Sequence, residues 1–182
     1  MVNKYKLKLT LLQQDIFELL QIYAGLALNQ RGIANKLGVS APAVMKSLPG
    51  LEESGLIKTR QDKESKRWAI ELNRDDHRIM QLKRANNLKL LYKADLVEYL
   101  EDAFPGGTII LFGSYSRGED TINSDIDIAI IGRKEKIQDL TKFEKTLNRR
   151  ISLNFYESFD KIHKNLKENL FNGITLSGGI QL

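Results

Sequence analysis

Residues 111 to 131 read Leu-Phe-Gly-Ser-Tyr-Ser-Arg-Gly-Glu-Asp-Thr-Ile-Asn-Ser-Asp-Ile-Asp-Ile-Ala-Ile-Ile, a Gly-Ser turn after one apolar run and two aspartates at the head of another. Thr108 to Phe112 is apolar and rich in β-branched residues, with Pro105-Gly106-Gly107 before it and Gly113 after it, so it predicts a short buried strand. Gly113 lets backbone come close to a ligand. Ser114 is placed to cap a short helix whose free N–H groups favour phosphate oxygens. Asp125 and Asp127 open the next strand, where side chains at i and i+2 share one face about 6.5 to 7 Å apart. Two carboxylates at that spacing repel each other, and magnesium, a hard cation that takes oxygen ligands and substrate phosphates, relieves the conflict.

Gly113-Ser114, Arg117-Gly118 and Ser124-Asp125-Ile126-Asp127, taken with their spacing, resemble the signature of the polymerase-beta-like nucleotidyltransferases, most closely the minimal, single-domain branch. The resemblance covers about residues 86 to 176. It implies that Gly113, Ser114 and Arg117 bind the nucleotide, and that Asp125 and Asp127 are the catalytic residues and hold Mg2+. The nucleotide implied is a triphosphate, with ATP the first choice. The family also carries a third carboxylate on the following strand. Here the next strand candidate is Ile151 to Tyr156, with Ser152, Asn154 and Tyr156 on one face, so the expected position holds Asn154, or Ser152 in a different register. Asparagine offers a carbonyl oxygen but neither negative charge nor a general base. Glu119, Asp120 and Glu157 are the nearby acids that stand as alternatives.

Charge divides the chain. Residues 1 to 74 hold 12 Lys and Arg against 7 Asp and Glu, whereas residues 101 to 182 hold 11 against 12, so the net charge of +5 is N-terminal. A basic module joined to a near-neutral one points to nucleic acid at one end and small-ligand chemistry at the other. Helical periodicity over Leu9 to Ala24, a short helix over Gln30 to Leu37 ended by Gly38, and a third helix capped by Ser40 precede two strand-like runs within Ile57 to Leu72. Pro49-Gly50 is expected to interrupt the third helix. This order, with Arg31 to Ser40 as the helix-turn entry and Gly55-Leu56-Ile57 as the step into the wing, resembles a winged helix-turn-helix of bacterial and archaeal regulators. The resemblance implies double-stranded DNA as a partner. The third helix would offer Ser40, Ala43, Lys46 and Ser47, and the wing Lys58, Arg60, Lys63, Lys66 and Arg67.

The fold class is therefore α/β (α+β): a winged helix-turn-helix domain over residues 1–74, then a nucleotidyltransferase domain over 75–182 whose small mixed sheet is flanked by helices. Asp76 to Ala103 reads as its leading helix, divided at Asn86-Asn87. Glu135 to Asn148 and Ser158 to Leu170 read as further helices, and Asn172 to Gly179 as a short apolar close. The chain has no cysteine, which excludes disulfides, thiolate catalysis and cysteine-ligated zinc. No apolar run approaches the roughly 20 residues of a membrane span, and the first eight residues have no signal-peptide core, so a cytoplasmic protein without membrane contact is expected.

Three functions compete. One is magnesium-dependent transfer of a nucleoside monophosphate to an acceptor. The second is a DNA-binding regulator whose nucleotidyltransferase-like domain binds nucleotide or a partner without turnover. The third is the antitoxin role of minimal nucleotidyltransferases toward a toxin-like helical protein, which would then be the acceptor. A homodimer would complete a site too small to select its own acceptor.

Overall fold

The computed structural model describes residues 8–63 and 67–180, and the chain divides into two compact units, Met1–Ile79 and Met80–Leu182. In the first unit, α1 (Leu11–Ile22), α2 (Gln30–Leu37) and α3 (Ala41–Glu53) precede the antiparallel pair β1 (Ile57–Gln61) and β2 (Trp68–Leu72). Leu28, between α1 and α2, adds a bridge to Ile70 through two backbone hydrogen bonds of 2.9 and 2.8 Å. Three helices followed by a hairpin that pairs back onto the α1–α2 connection is a winged helix-turn-helix arrangement.

Local chemistry accounts for the helix ends. Thr10 and Gln13 form a reciprocal capping box on α1, Asn29 and Ser40 cap α2 and α3, and Gly38 closes α2 in the left-handed region. Pro49 does not interrupt α3, contrary to expectation. The lost N–H costs roughly 3 kcal/mol. Leu48 and Leu51 beside it are buried, at roughly 1.5–3 kcal/mol each, which outweighs that cost. Gln13 of α1 also donates to Ser47 O at 3.1 Å, adding a bond across the same turn.

The second unit contains the remainder of α4 (His77–Lys93), then α5 (Leu96–Ala103), β3 (Thr108–Phe112), α6 (Gly113–Arg117), β4 (Ile126–Ile131), α7 (Thr141–Leu147), β5 (Ile151–Tyr156), α8 (Lys164–Phe171) and β6 (Ile174–Ser177). Four strands form one mixed sheet in the order β5-β4-β3-β6, with β4 and β5 parallel and the other pairs antiparallel. One face carries Ile109, Leu111, Ile126, Ile128, Ile130 and Ile151, packed with Leu96, Val97, Leu100, Phe143 and Leu147 from α5 and α7. The other face carries Ile110, Ala129 and Ile131 under Leu170 of α8. Asp127 alternates with Ala129 and Ile131 and so lies on this second face, at its end.

Several expected boundaries move. α4 runs unbroken through Asn86-Asn87; the break comes at Asp95, a left-handed residue before α5. Asn87 is buried and spends its amide on Tyr115 O and Asp120 rather than on its own backbone, so it does not end the helix. The helix expected from Glu135 starts only at Thr141, whose N–H is held by Asp139 Oδ1 at 3.1 Å; the Thr141 hydroxyl, and then this N–H, keep the Asp139 carboxyl below its ordinary value. The helix expected from Ser158 starts at Lys164, and the apolar close is a strand, β6, paired with β3. No helix among the described residues is long and apolar enough to cross a membrane.

Candidate nucleotide site

β3 delivers the chain to Gly113 and β4 delivers the aspartates beside it, because Phe112 and Asp127 are register partners. Gly113 has φ +73°, and a Cβ there would lie 2.6 Å from Asp127 Oδ2. The missing side chain is what brings the backbone at the start of α6 against the Asp127 carboxylate. Ser114 does not cap α6, as the sequence had suggested. It is the second residue of the helix, and its hydroxyl has no partner among the described residues. Ser116 instead donates to Gly113 O at 2.8 Å and stiffens the turn.

Asp125 is exposed just before β4, and Asp127 is half-buried within it. Burial, and then the Asp125 charge, push the Asp127 carboxyl above its ordinary value. Such a pair matches the hard-oxygen donor set of a divalent cation, which would stabilise both ionised groups. β5 settles the register question: Ser152 stands opposite Asp127, and Asn154 stands opposite Ala129, with its amide 3.4 Å from Ser152 O and Oγ. Neither is ionisable. Tyr156, on the same face, has its phenol raised by burial and by the Asp127 charge.

None of the three nearby acids completes a metal cluster, and no group of three or more metal-ligating His, Cys, Asp or Glu occurs among the described residues. Glu119 pairs with Arg117 at 2.7 Å, and Glu157 pairs with Lys161 at 2.6 Å. Asp120 is fully buried, held by Lys83, by Arg149 at 3.3 Å and by the Asn87 amide at 2.7 Å. These partners tie the loop from α6 to β4 to α4 on one side and to the start of β5 on the other. The loop in turn fixes how far Gly113 lies from Asp125.

Sequence reasoning missed this network. Its signal was present: Lys83 and Asn87 fall on the apolar stripe of α4 with Ile79 and Leu91, where charge needs a buried partner. Gly118, at the end of α6, has φ +76°, and a Cβ there would strike Met80 O and stand 2.8 Å from Arg84 N. The close approach of α6 to α4 thus requires glycine. Arg117 and Arg84 share a pocket of about 470 Å³. A pocket of about 660 Å³ lined by Thr108 and Ile131 is at the opposite end of the sheet from Asp127 and contains none of Gly113, Ser114, Arg117, Asp125 and Asp127.

Residues 93–174 match the family model of the nucleotidyltransferase domain. That segment runs from the end of α4 to the start of β6 and includes Gly113, Ser114, Arg117, Asp125 and Asp127. No curated protein matches the chain. Among solved structures, the chain is similar to one titled "Crystal structure of S. aureus MepR-DNA complex", at 22% identity and a TM-score of 0.39, over 53% of this chain and 82% of that one.

The residues suggested for DNA contact separate on inspection. Lys46 is exposed on α3, and Arg60, Lys63 and Arg67 are exposed on the hairpin. Ser40 is exposed, with its hydroxyl accepting from Ala43 N at 3.3 Å, and Ala43 is partly covered. Ser47 is turned inward, its hydroxyl donating to Ala43 O at 3.0 Å, so it presents nothing to a groove. Lys58 is exposed but paired with Asp75, whose carboxyl that contact lowers. Lys66 lies outside the described residues.

Proposed function

We propose that the second unit transfers a nucleoside monophosphate from a nucleoside triphosphate, ATP in the first instance, to an acceptor hydroxyl. The observation that carries this reading is the packing of the Gly113 backbone against the Asp127 carboxylate, two residues along the strand from Asp125, within the segment that matches the nucleotidyltransferase domain. The Ser114 hydroxyl and the N–H groups at the turn bind the β and γ phosphates, and Arg117, once released from Glu119, adds charge to that contact. Asp125 and Asp127 would hold Mg2+, which when bound neutralises charge on the phosphates and on the departing pyrophosphate. The test is incubation with triphosphates labelled at the α phosphate in a lysate. Label entering a product, with an equal amount of pyrophosphate released, supports transfer; label remaining wholly in nucleotide counts against it.

Gly113→Ala is expected to spare the fold and remove the nucleotide site. A left-handed alanine costs roughly 1–2 kcal/mol, and its methyl group displaces the Asp127 carboxylate. Thermal melting should fall modestly while triphosphate no longer raises the melting temperature.

A second reading is favoured by one observation: β5 offers Ser152 and Asn154 where a third carboxylate would stand, so no side chain there can accept the acceptor proton. On that reading the unit binds nucleotide without turnover, and the first unit acts on double-stranded DNA through Lys46, Arg60, Lys63 and Arg67. Lys46→Glu should then weaken DNA binding across all sequences and reduce the slope of log affinity against log salt by about one. Equal slopes for both proteins would remove Lys46 from the interface.

A further inference from the structure

The four-stranded sheet ends in two edges, β5 and β6, and the chain treats them differently. The β6 edge is blunted. It has four residues, its register with β3 slips between Ile109 and Ile110, and Gly178 follows it in the left-handed region. The β5 edge has none of these devices. Its six residues, Ile-Ser-Leu-Asn-Phe-Tyr, include no proline, glycine or charge, its register with β4 is unbroken, and no other element of the second unit runs alongside it. A bare edge of this kind is the feature through which a sheet recruits another strand.

The hydrogen bonds to β4 show which backbone groups stay open. Ile126 N donates to Arg150 O at 2.8 Å and Gly132 N to Tyr156 O at 2.9 Å, so the even-numbered residues of β5 spend their N–H and C=O groups on β4. Ile151, Leu153 and Phe155 therefore direct theirs outward. The Glu144 carboxylate accepts one of these, from Ile151 N at 3.0 Å. Among the described residues, the N–H and C=O groups of Leu153 and Phe155 and the C=O of Ile151 have no partner. Charge selects what pairs with them. Arg150 is exposed just before the strand, and Glu157 is exposed just after it, in an ion pair with Lys161. An antiparallel second copy brings the Arg150 end of each chain beside the Glu157 end of the other, whereas a parallel copy would bring like charges together.

We infer that β5 pairs antiparallel with β5 of a second copy of this chain, about a two-fold axis through Leu153, joining two four-stranded sheets into one. The register that uses all three open residues sets Leu153 opposite Leu153, Ile151 opposite Phe155, and Ser152 opposite Asn154. Leu153 exchanges both backbone hydrogen bonds with its copy, and Phe155 N–H donates to Ile151 O of the second copy while Glu144 stays in place. On one face of the seam the pairs are apolar. On the other, the Asn154 amide meets the Ser152 hydroxyl of the second copy. Each side chain keeps its face of the sheet, so the Asp127 faces of both copies open on the same side. Pairing of this kind needs neither nucleotide nor metal.

Sedimentation velocity of the full chain, from micromolar to millimolar concentration, should show a monomer–dimer equilibrium. Arg150→Glu and Glu157→Arg alter exposed positions, and each should raise the dimer Kd about tenfold, since the two-fold counts every substitution twice; combined, they should restore it. The amides of Leu153 and Phe155 should exchange more slowly as the dimer forms. The chain has no cysteine, so Leu153→Cys supplies one thiol that meets only its own copy. Opposed hydrogen-bonded residues stand about 5.5 Å apart at Cα, within disulfide range, so this variant should cross-link on mild oxidation. Ser152→Cys, two residues out of register with its copy, should not. A chain that stays monomeric throughout overturns the inference, including one whose Leu153 and Phe155 amides are protected only by an added extended peptide. A dimer indifferent to the charge exchange, with Leu153→Cys left unlinked, overturns it as well, because the contact would then lie on another surface.

Discussion

Asp120→Ala is expected to lower the unfolding free energy by about 3 to 5 kcal/mol, a large share of the total for a domain of this size. Asp120 has no exposed surface and neither has Lys83, while Arg149 is 6% exposed, so the truncation leaves two buried cations without their shared carboxylate. The measurement is urea denaturation followed by far-UV circular dichroism, reading the midpoint at an unchanged m-value. Replacing the set with apolar residues, Lys83→Met with Asp120→Leu and Arg149→Met, should recover much of the loss, because desolvation consumes most of what the ion pairs contribute. A fall below 1 kcal/mol in the single variant would mean that the network does not hold the loop between α6 and β4.

Loss of either aspartate is expected to abolish nucleotide transfer while leaving the metal-free protein as stable as before, or more so. Burial and the Asp125 charge raise the Asp127 carboxyl, so the folded chain holds that proton more tightly than the unfolded chain does. The ionised group therefore opposes folding. This cost is absent in acid, where both states are protonated, and sets in as pH rises above the ordinary carboxylate range. Asp127→Asn removes it, so at neutral pH without divalent metal the variant should melt at or above the wild-type temperature, and the difference should shrink as pH falls toward 4. Adding Mg2+ and triphosphate should reverse the order by stabilising only the wild type. An Asp127→Asn protein that melts well below wild type without metal would place the carboxylate in a structural role.

The parts of this account that were legible in the sequence are those written in short-range chemistry. Ser40, Gly38 and Gly113 act locally, and the alternation in Ile126 to Ile131 separates core from site on one strand, so the three N-terminal helices, the hairpin, β3 and β4 appear where their residues say they should. The misplaced features depend on distant contacts. Pro49 is tolerated because Leu48 and Leu51 are buried and Gln13 comes from another helix; Asn87 stays helical because Asp120, 33 residues away, takes its amide. In the site, the aspartate pair and the Gly-Ser turn were visible as a motif. Whether Ser152 or Asn154 faces Asp127 depended on the β4–β5 register, which no pattern within β5 alone specifies.

The most direct measurement of the central claim is a calorimetric titration of an α,β-methylene triphosphate into the full chain, with and without Mg2+, in wild type and in Asp125→Asn/Asp127→Asn. The account predicts saturable one-site binding in wild type that strengthens with Mg2+, and no Mg2+-dependent component in the variant. Equal Mg2+ dependence in the two proteins would contradict it, because the triphosphate would then be held away from Gly113, Asp125 and Asp127.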